Sequence, residues 1–76
     1  MAVKAIDKYV IQQVKKRRLA LGISQSQLAF ELELSNGFIG RVETGTYGAK
    51  YSVSQLYDMA KLFGCSIKDF FPDKTL

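Results

Sequence analysis

The chain has 76 residues, 47% of them hydrophobic, and a formal net charge of +4. This length allows a single domain over residues 1–76, and the apolar content is too high for a disordered chain. One cysteine excludes an internal disulfide, the absence of histidine excludes a histidine metal site or general base, and no apolar run is long enough for a bilayer span. We therefore expect a cytoplasmic protein with no metal or cofactor and, from its charge, a polyanionic partner.

The first predicted element is a helix over about residues 6–21. Ile11, Val14, Arg18 and Leu21 fall on one stripe at helical spacing. Gly22 follows at the position where helices commonly end in a left-handed residue. A charge on an apolar stripe is costly to bury alone, so Arg18 requires a partner inside the protein.

Two short helices follow, over about residues 25–32 and 36–43. Ser24 and Gln27 have capping-box spacing at the start of the first, and Ser35 is the N-cap candidate of the second. Because only a few residues separate them, the two helices must cross steeply, which predicts a helix-turn-helix. In that geometry the second helix can enter the major groove of DNA.

The remaining elements are a loop over residues 46–51 and two further helices. Ser52 opens the fourth helix with capping-box spacing to Gln55. Ser66 opens a short fifth helix, which Pro72 ends. The sequence therefore predicts an all-α domain of five helices.

A second buried charge is expected in the third helix. Glu43 follows Ile39 by one helical turn, so both lie on the inward face. An unpaired buried charge is strongly destabilising. We therefore predict that Arg18 and Glu43 form a structural ion pair.

The polar side of the third helix is the candidate surface for reading bases. The Asn36 amide can pair bidentately with adenine, and the Arg41 guanidinium with guanine. Phe38 either packs on a thymine methyl or lies against the core. The residues expected to contact DNA from this side are Ser35, Asn36, Gly37, Phe38, Gly40 and Arg41.

Two glycines make the third helix unusual. Gly37 and Gly40 each cost a helix about 1 kcal/mol relative to Ala. They allow either a close approach of the backbone to the bases or a weakly specified helix that orders on binding. Both interpretations leave few side chains for direct readout, so we expect part of the specificity to come from DNA shape.

Phosphate contacts are expected on both sides of this helix. Gln25 stands at the start of the second helix, where backbone amides and the helix dipole favour an anion. Lys50 is the only cation of the loop before the fourth helix. The further phosphate candidates are Gln27, Thr44, Thr46 and Tyr51.

The pattern resembles the lambdoid phage repressor and Cro type (XRE family) of helix-turn-helix proteins. The resemblance covers about residues 11–71. It implies a five-helix, lambda-repressor-like fold, and the family's Arg–Glu pair falls on Arg18 and Glu43. It also implies that Gln25 contacts a phosphate and braces Asn36. The residues that carry it are Ser24, Gln25, Ser26, Gln27, Leu28, Ala29, Ile39, Val42, Glu43, Gly45, Leu56 and Ala60.

The sequence departs from this family at two positions. Glu33 stands where the family usually has Gly in the turn, and a left-handed conformation there would carry a strain on the order of 1 kcal/mol. The family's common Pro after the recognition helix is absent, and Lys50 or Tyr51 stands in its place. The course of this loop is therefore not predicted.

These features predict a sequence-specific transcriptional regulator, most simply a repressor that occupies its operator on double-stranded DNA. Such domains usually bind pseudo-palindromic sites as two-fold dimers. The C-terminal helices hold more apolar residues than short helices need, so either some form a homodimer contact or all belong to the core. These residues are Tyr57, Phe63, Ile67, Phe70 and Phe71.

The alternative is a protein-interaction module or an antitoxin that uses the same fold to bind a partner protein. Gln25, Asn36, Arg41 and Lys50 favour DNA, because a pure interaction module needs none of them. An enzyme is not expected, since the sequence shows neither a paired nucleophile and base nor a phosphate-cradling glycine-rich loop.

Overall fold

The computed structural model describes residues 3–76, which form helices and turns and contain no β-strand. The all-α prediction is confirmed, although the predicted fifth helix is a 3-10 turn. No helix within these residues has both the length and the apolar composition that crossing a membrane requires. The elements are α1 (Ala5–Ala20), α2 (Gln25–Glu31), α3 (Phe38–Thr44), a 3-10 turn (Thr46–Gly48), α4 (Val53–Phe63) and a second 3-10 turn (Ile67–Phe70).

Side-chain caps set the starts of α2 and α4. The hydroxyl of Ser24 accepts a hydrogen bond from the backbone N–H of Gln27 at 3.0 Å. At α4 the box is reciprocal: the Ser52 hydroxyl accepts from the Gln55 N–H at 3.1 Å, and the Gln55 side chain accepts from the Ser52 N–H at 2.8 Å. These bonds satisfy N–H groups that have no partner within the helix. The predicted starts of both helices are therefore confirmed.

The third helix begins later than predicted. Gly37 has φ 88° and ψ −9°, a left-handed conformation that interrupts the helical path, so α3 starts at Phe38. Ser35 is therefore not the N-cap; its carbonyl accepts the N–H of Phe38 at 3.1 Å and closes the turn. Asn36 consequently lies in the turn ahead of α3 and not within the helix.

The core contains buried apolar side chains from every α-helix and from the last 3-10 turn. Val14, Leu28, Ile39, Met59 and Phe70 are all fully buried and belong to one cluster. Burial of this apolar area is the main source of stability in so small a domain. Because α2 and α3 attach to the core by their inner faces, their outer faces remain open to solvent.

The turn after α2 forces Glu33 into a left-handed conformation with φ 56°. The N–H of Leu34 donates to the carbonyl of Ala29 at 2.8 Å, and the N–H of Glu33 donates to the carbonyl of Phe30 at 3.1 Å. This pair of bonds is a Schellman motif, in which Gly normally occupies the left-handed position. The strain foreseen at Glu33 is therefore present.

Replacement of Glu33 should stabilise the protein. Glu33→Gly removes the Cβ that disfavours this backbone and should raise the free energy of unfolding by about 1 kcal/mol, measured by urea denaturation. Lys16→Gly is the matched control, since it places the same residue at an exposed position inside α1. It should lower the same quantity by about 1 kcal/mol. A loss of stability in both variants would contradict the strain at Glu33.

Candidate nucleic-acid interface

A bidentate ion pair connects α1 to the end of α3. The Arg18 Nε donates to Glu43 Oε2 at 2.8 Å and its Nη2 donates to Oε1 at 2.9 Å, with the side chains only 6% and 3% exposed. The remaining Arg18 terminal nitrogen, Nη1, donates to the carbonyl of Ile23 at 2.8 Å. Both residues expected to pair are therefore in direct contact. Pairing and hydrogen bonding of this kind offset much of the cost of burying the two charges.

Gln25 extends this contact to α2. Its Nε2 donates to Glu43 Oε1 at 2.9 Å, so the same carboxylate accepts hydrogen bonds from side chains on α1 and α2. Gly40 makes room for this arrangement, because a Cβ at that position would lie 3.2 Å from Gln25 Oε1. The expectation that Gln25 braces Asn36 is therefore wrong: Gln25 braces Glu43.

Tyr51 was expected to contact a phosphate, and the structure contradicts this. Its hydroxyl is buried and finds no hydrogen-bond partner within residues 3–76. Burial, and after it the nearby Glu43 carboxylate, raises the pKa of Tyr51 well above the usual range, while Arg18 acts in the opposite direction. Tyr51 immediately precedes the N-cap of α4 and Leu56 is the fourth residue of that helix, the spacing of a hydrophobic staple. That spacing was the sequence signal for an inward-facing Tyr51.

Phe38 lies between the core and the polar surface. Its ring packs against the buried cluster and meets the Tyr51 ring edge-on, with centroids 6.1 Å apart and planes at 61°. The Arg41 guanidinium lies over the Phe38 ring, 6.0 Å from its centroid. Of the two roles left open for Phe38, this packing favours the core contact over a thymine contact.

Most of the predicted DNA contacts share an exposed position around the turn, α3 and the following loop. Phe38, Gly40 and Tyr51 are the three that are half-buried. Thr44 belongs to the exposed group, and its hydroxyl is held by the Gly40 carbonyl and the Thr46 hydroxyl at 2.9 and 2.8 Å. The exposed residues are Gln25, Gln27, Ser35, Asn36, Gly37, Arg41, Thr44, Thr46 and Lys50.

Two lysines near α3, Lys50 and Lys8, could attract a phosphate, and Lys50 already has a carboxylate beside it. Lys50 Nζ lies 3.5 Å from Asp7 Oδ2, so part of its attraction for an anion is offset by that carboxylate. Lys8 and Gln12 were not predicted, yet they line a groove between α1 and the C-terminal end of α3 together with Thr44 and Gly45. The signal for them is their separation of four residues, which places them on one side of α1.

Within residues 3–76, no group of three or more His, Cys, Asp or Glu side chains is placed to hold a metal ion. The exposed groups of the candidate surface are side-chain amides, hydroxyls, the Arg41 guanidinium and the Lys50 ammonium. These groups can donate to phosphate oxygens and to acceptors on base edges.

Two short helices in contact and joined by a tight turn, α2 and α3, are the arrangement of a helix-turn-helix protein. The chain belongs to the helix-turn-helix family, which it matches over residues 14–70. Its relatives include an uncharacterized transcriptional regulator in the ATPase CF(0) region of Rhodospirillum rubrum, 38% identical over 68 residues. That match covers 90% of this chain and 61% of the relative, so the chain spans less than two thirds of the relative's length.

Solved structures of similar shape include the restriction-modification controller protein C.AhdI from Aeromonas hydrophila. It has a TM-score of 0.70 and 27% identity, and the match covers 87% of this chain and 96% of that one. The hypothetical transcription factor NHTF from Neisseria has a TM-score of 0.74 at 18% identity, with coverage of 93% and 87%. This second likeness shows the fold alone.

Hydroxypropylphosphonic acid epoxidase from S. wedmorenis shares the fold over part of its length. The TM-score is 0.77 at 24% identity, with 92% of this chain and 36% of the epoxidase covered. Most of the enzyme therefore has no counterpart in this match, and the likeness carries no activity across.

Replacement of the two charged residues tests how much the ion pair contributes to the free energy of unfolding. Arg18→Met and Glu43→Leu should each lower the free energy of unfolding by about 3–5 kcal/mol, because each leaves a buried charge unpaired. The double variant should lose much less than the sum. Urea denaturation with a stabilising osmolyte present would measure all three variants.

Arg17→Met is the control for this cycle. Arg17 is partly exposed and lies 3.9 Å from Asp69, so its replacement should change stability by no more than about 1 kcal/mol. If the single losses at Arg18 and Glu43 simply added in the double variant, the two charges would not be coupled.

Proposed function

We propose that this protein binds double-stranded DNA sequence-specifically as a transcriptional regulator, with α3 and the turn before it in the major groove. The observation that carries the proposal is the division of this segment into two sides. Ile39 and Val42 are buried. The polar groups on the other side are exposed, and we call them the recognition surface: Ser35, Asn36, Gly37, Arg41 and Thr44.

Asn36 and Arg41 are the proposed base-reading residues. Recognition helices place their N-terminal residues against base edges. Asn36 lies in the turn just ahead of α3, at that end of the helix. An Asn amide matches adenine and an Arg guanidinium matches guanine in the major groove, and each good pair contributes about 1–3 kcal/mol of discrimination.

Phosphate contacts would position this surface on the duplex. Gln25 and Gln27 are exposed in the first turn of α2, and Thr46 and Lys50 are exposed beyond α3. The Gln25 side chain already donates a hydrogen bond to Glu43 in the free protein. A phosphate contact by Gln25 would therefore cost little further rotamer freedom. The net charge of +4 adds long-range attraction to a polyanion.

We further propose a homodimer on a pseudo-palindromic operator. Phe70 is fully buried, and Phe63 and Ile67 pack on the core, so these three do not supply the interface. Val53 and Tyr57 lie one turn apart on α4 and are 74% and 56% exposed. We define the α4 patch as Val53, Tyr57 and the partly exposed Ile6 and Phe71. An isologous contact through this patch would relate two copies by a two-fold axis, and dimers of this kind bind half-sites about one helical turn apart.

The proposed role is that of a repressor, which blocks transcription by occupying its operator. We propose no enzymatic activity for this domain. The alternative, a protein-interaction module or an antitoxin, would need no DNA affinity. Duplex binding that weakens steeply as salt rises separates the two functions.

Single replacements should separate base readout from phosphate contact. After recovery of bound duplexes from a random pool, Arg41→Ala should lose about 1–3 kcal/mol of binding free energy and relax preference at one base-pair position. Lys50→Gln should weaken all sequences alike and reduce the salt slope by about 1. Fluorescence anisotropy titrations over a series of salt concentrations would measure both effects.

Lys16→Gln is the charge control, because Lys16 is an exposed cation on α1 that belongs neither to the recognition surface nor to the α4 patch. It should leave both affinity and salt slope unchanged. Absence of duplex binding at low salt, or a flat salt dependence, would overturn the proposed function in favour of a protein partner.

The proposed dimer predicts a change of mass in solution. Tyr57→Glu places a charge in the α4 patch and should convert the dimer to a monomer in sedimentation velocity. Phe30→Glu is the control, because Phe30 is also an exposed aromatic residue but lies on α2. A wild-type protein that stays monomeric at high concentration would contradict the dimer and leave the DNA contacts unaffected.

A further inference from the structure

We infer that Phe38 and Tyr51 are positioning residues for Arg41, and that this aromatic pair helps to set the base preference of the recognition surface. The inference rests on the proposed function. It adds two residues that would determine specificity without a polar contact to DNA. We call Phe38 and Tyr51 the aromatic support.

The Arg41 side chain is folded back toward the turn ahead of α3. Its guanidinium lies over the Phe38 ring, 6.0 Å from the centroid, at the outer limit of a cation–π contact. Its Nη2 lies 3.4 Å from the Ser35 hydroxyl. Two neighbours, Phe38 and Ser35, therefore restrict a long side chain that is exposed to solvent.

Phe38 can restrict Arg41 because Phe38 is itself held from the other side. The Tyr51 ring meets it edge-on with centroids 6.1 Å apart, an arrangement that aromatic rings favour. The Tyr51 hydroxyl is buried without a partner within residues 3–76, so the ring makes this contact and the hydroxyl does not. The segment before α4 thereby reaches the recognition surface through two aromatic side chains in edge-on contact.

This arrangement has a consequence for binding. A free Arg loses rotamer freedom when it bonds to a guanine, whereas one already held near the base loses less. The advantage applies only where Arg41 makes its bidentate contact. Loss of the aromatic support should therefore reduce discrimination at the base pair read by Arg41 and leave the phosphate contacts unchanged.

The experiment compares Phe38→Leu, Tyr51→Leu and Tyr51→Phe on the operator recovered from the random pool. Each is titrated against that operator and against a version altered at the base pair where Arg41→Ala loses its preference. Phe38→Leu and Tyr51→Leu should reduce discrimination there by about 2- to 5-fold, the range expected for a cation–π contact at an exposed site. The salt slope should not change. Tyr51→Phe keeps the ring and should match the wild-type protein.

A double variant tests whether Phe38 and Tyr51 influence the base preference through Arg41. In the Arg41→Ala background, replacement of Phe38 or Tyr51 should produce no further loss at that base pair. If Phe38→Leu still alters a preference in that background, Phe38 touches a base itself and the inference is overturned. Equal weakening on all sequences, or unchanged discrimination in Tyr51→Leu, would also overturn it. Thermal melts of all variants confirm that the fold is kept.

A measurement without DNA separates this inference from the proposed function. The Phe38 ring should shift the NMR signals of the Arg41 side chain in the free protein, and Phe38→Leu should abolish the shift. Absence of the shift in the wild-type protein overturns the positioning role. If the wild-type protein shows the shift but binds no duplex, the proposed function is overturned and the positioning of Arg41 by Phe38 is retained.

Discussion

The carboxylate of Glu43 is the point on which the arrangement of this protein depends. It accepts two hydrogen bonds from Arg18 on α1 and one from Gln25 at the start of α2. One residue near the end of α3 therefore ties the recognition helix to both preceding helices. Because the Arg18 and Glu43 side chains are almost completely buried, moving α3 would leave two charges without partners or water. The pair thus favours a single orientation of α3 over nearby alternatives, which apolar contacts alone would discriminate less sharply.

This contact matters because α3 has little stability of its own. The helix is seven residues long, follows a left-handed Gly37 and contains Gly40. Helices of this length do not persist alone in water, and glycine lowers helix propensity further. Burial of Ile39 and Val42 and the Glu43 network therefore supply the order that the local sequence lacks. The outer side is left free to carry amide and guanidinium groups, so stability and recognition use different sides of the same short helix.

Much of the fold follows from rules that act within a few residues. Ser24 and Ser52 mark helix starts because their hydroxyls cap nearby N–H groups, and a charge on each apolar stripe indicated the buried pair. The start of α3 was misplaced because Ser35 has the chemistry of a cap, while the positive φ of Gly37 depends on the path of the whole turn. The partner of Gln25 depends on where Glu43 lies in three dimensions. Tyr51 was misassigned because a tyrosine carries both an apolar ring and a polar hydroxyl, and packing across the molecule decides which is exposed.

The recognition surface is proposed to be the part of this protein that meets DNA. An NMR titration of labelled protein with a duplex recovered from a random pool tests it most directly, since backbone shifts report on every segment at once. If the recognition surface meets DNA, the largest changes should fall on the start of α2, the turn around Asn36, α3 and the loop at residues 46–50, with little change on the outer side of α4 around Lys61. Changes centred on α4 and the C-terminal turn, with Asn36 and Arg41 unaffected, would show that another surface binds the duplex.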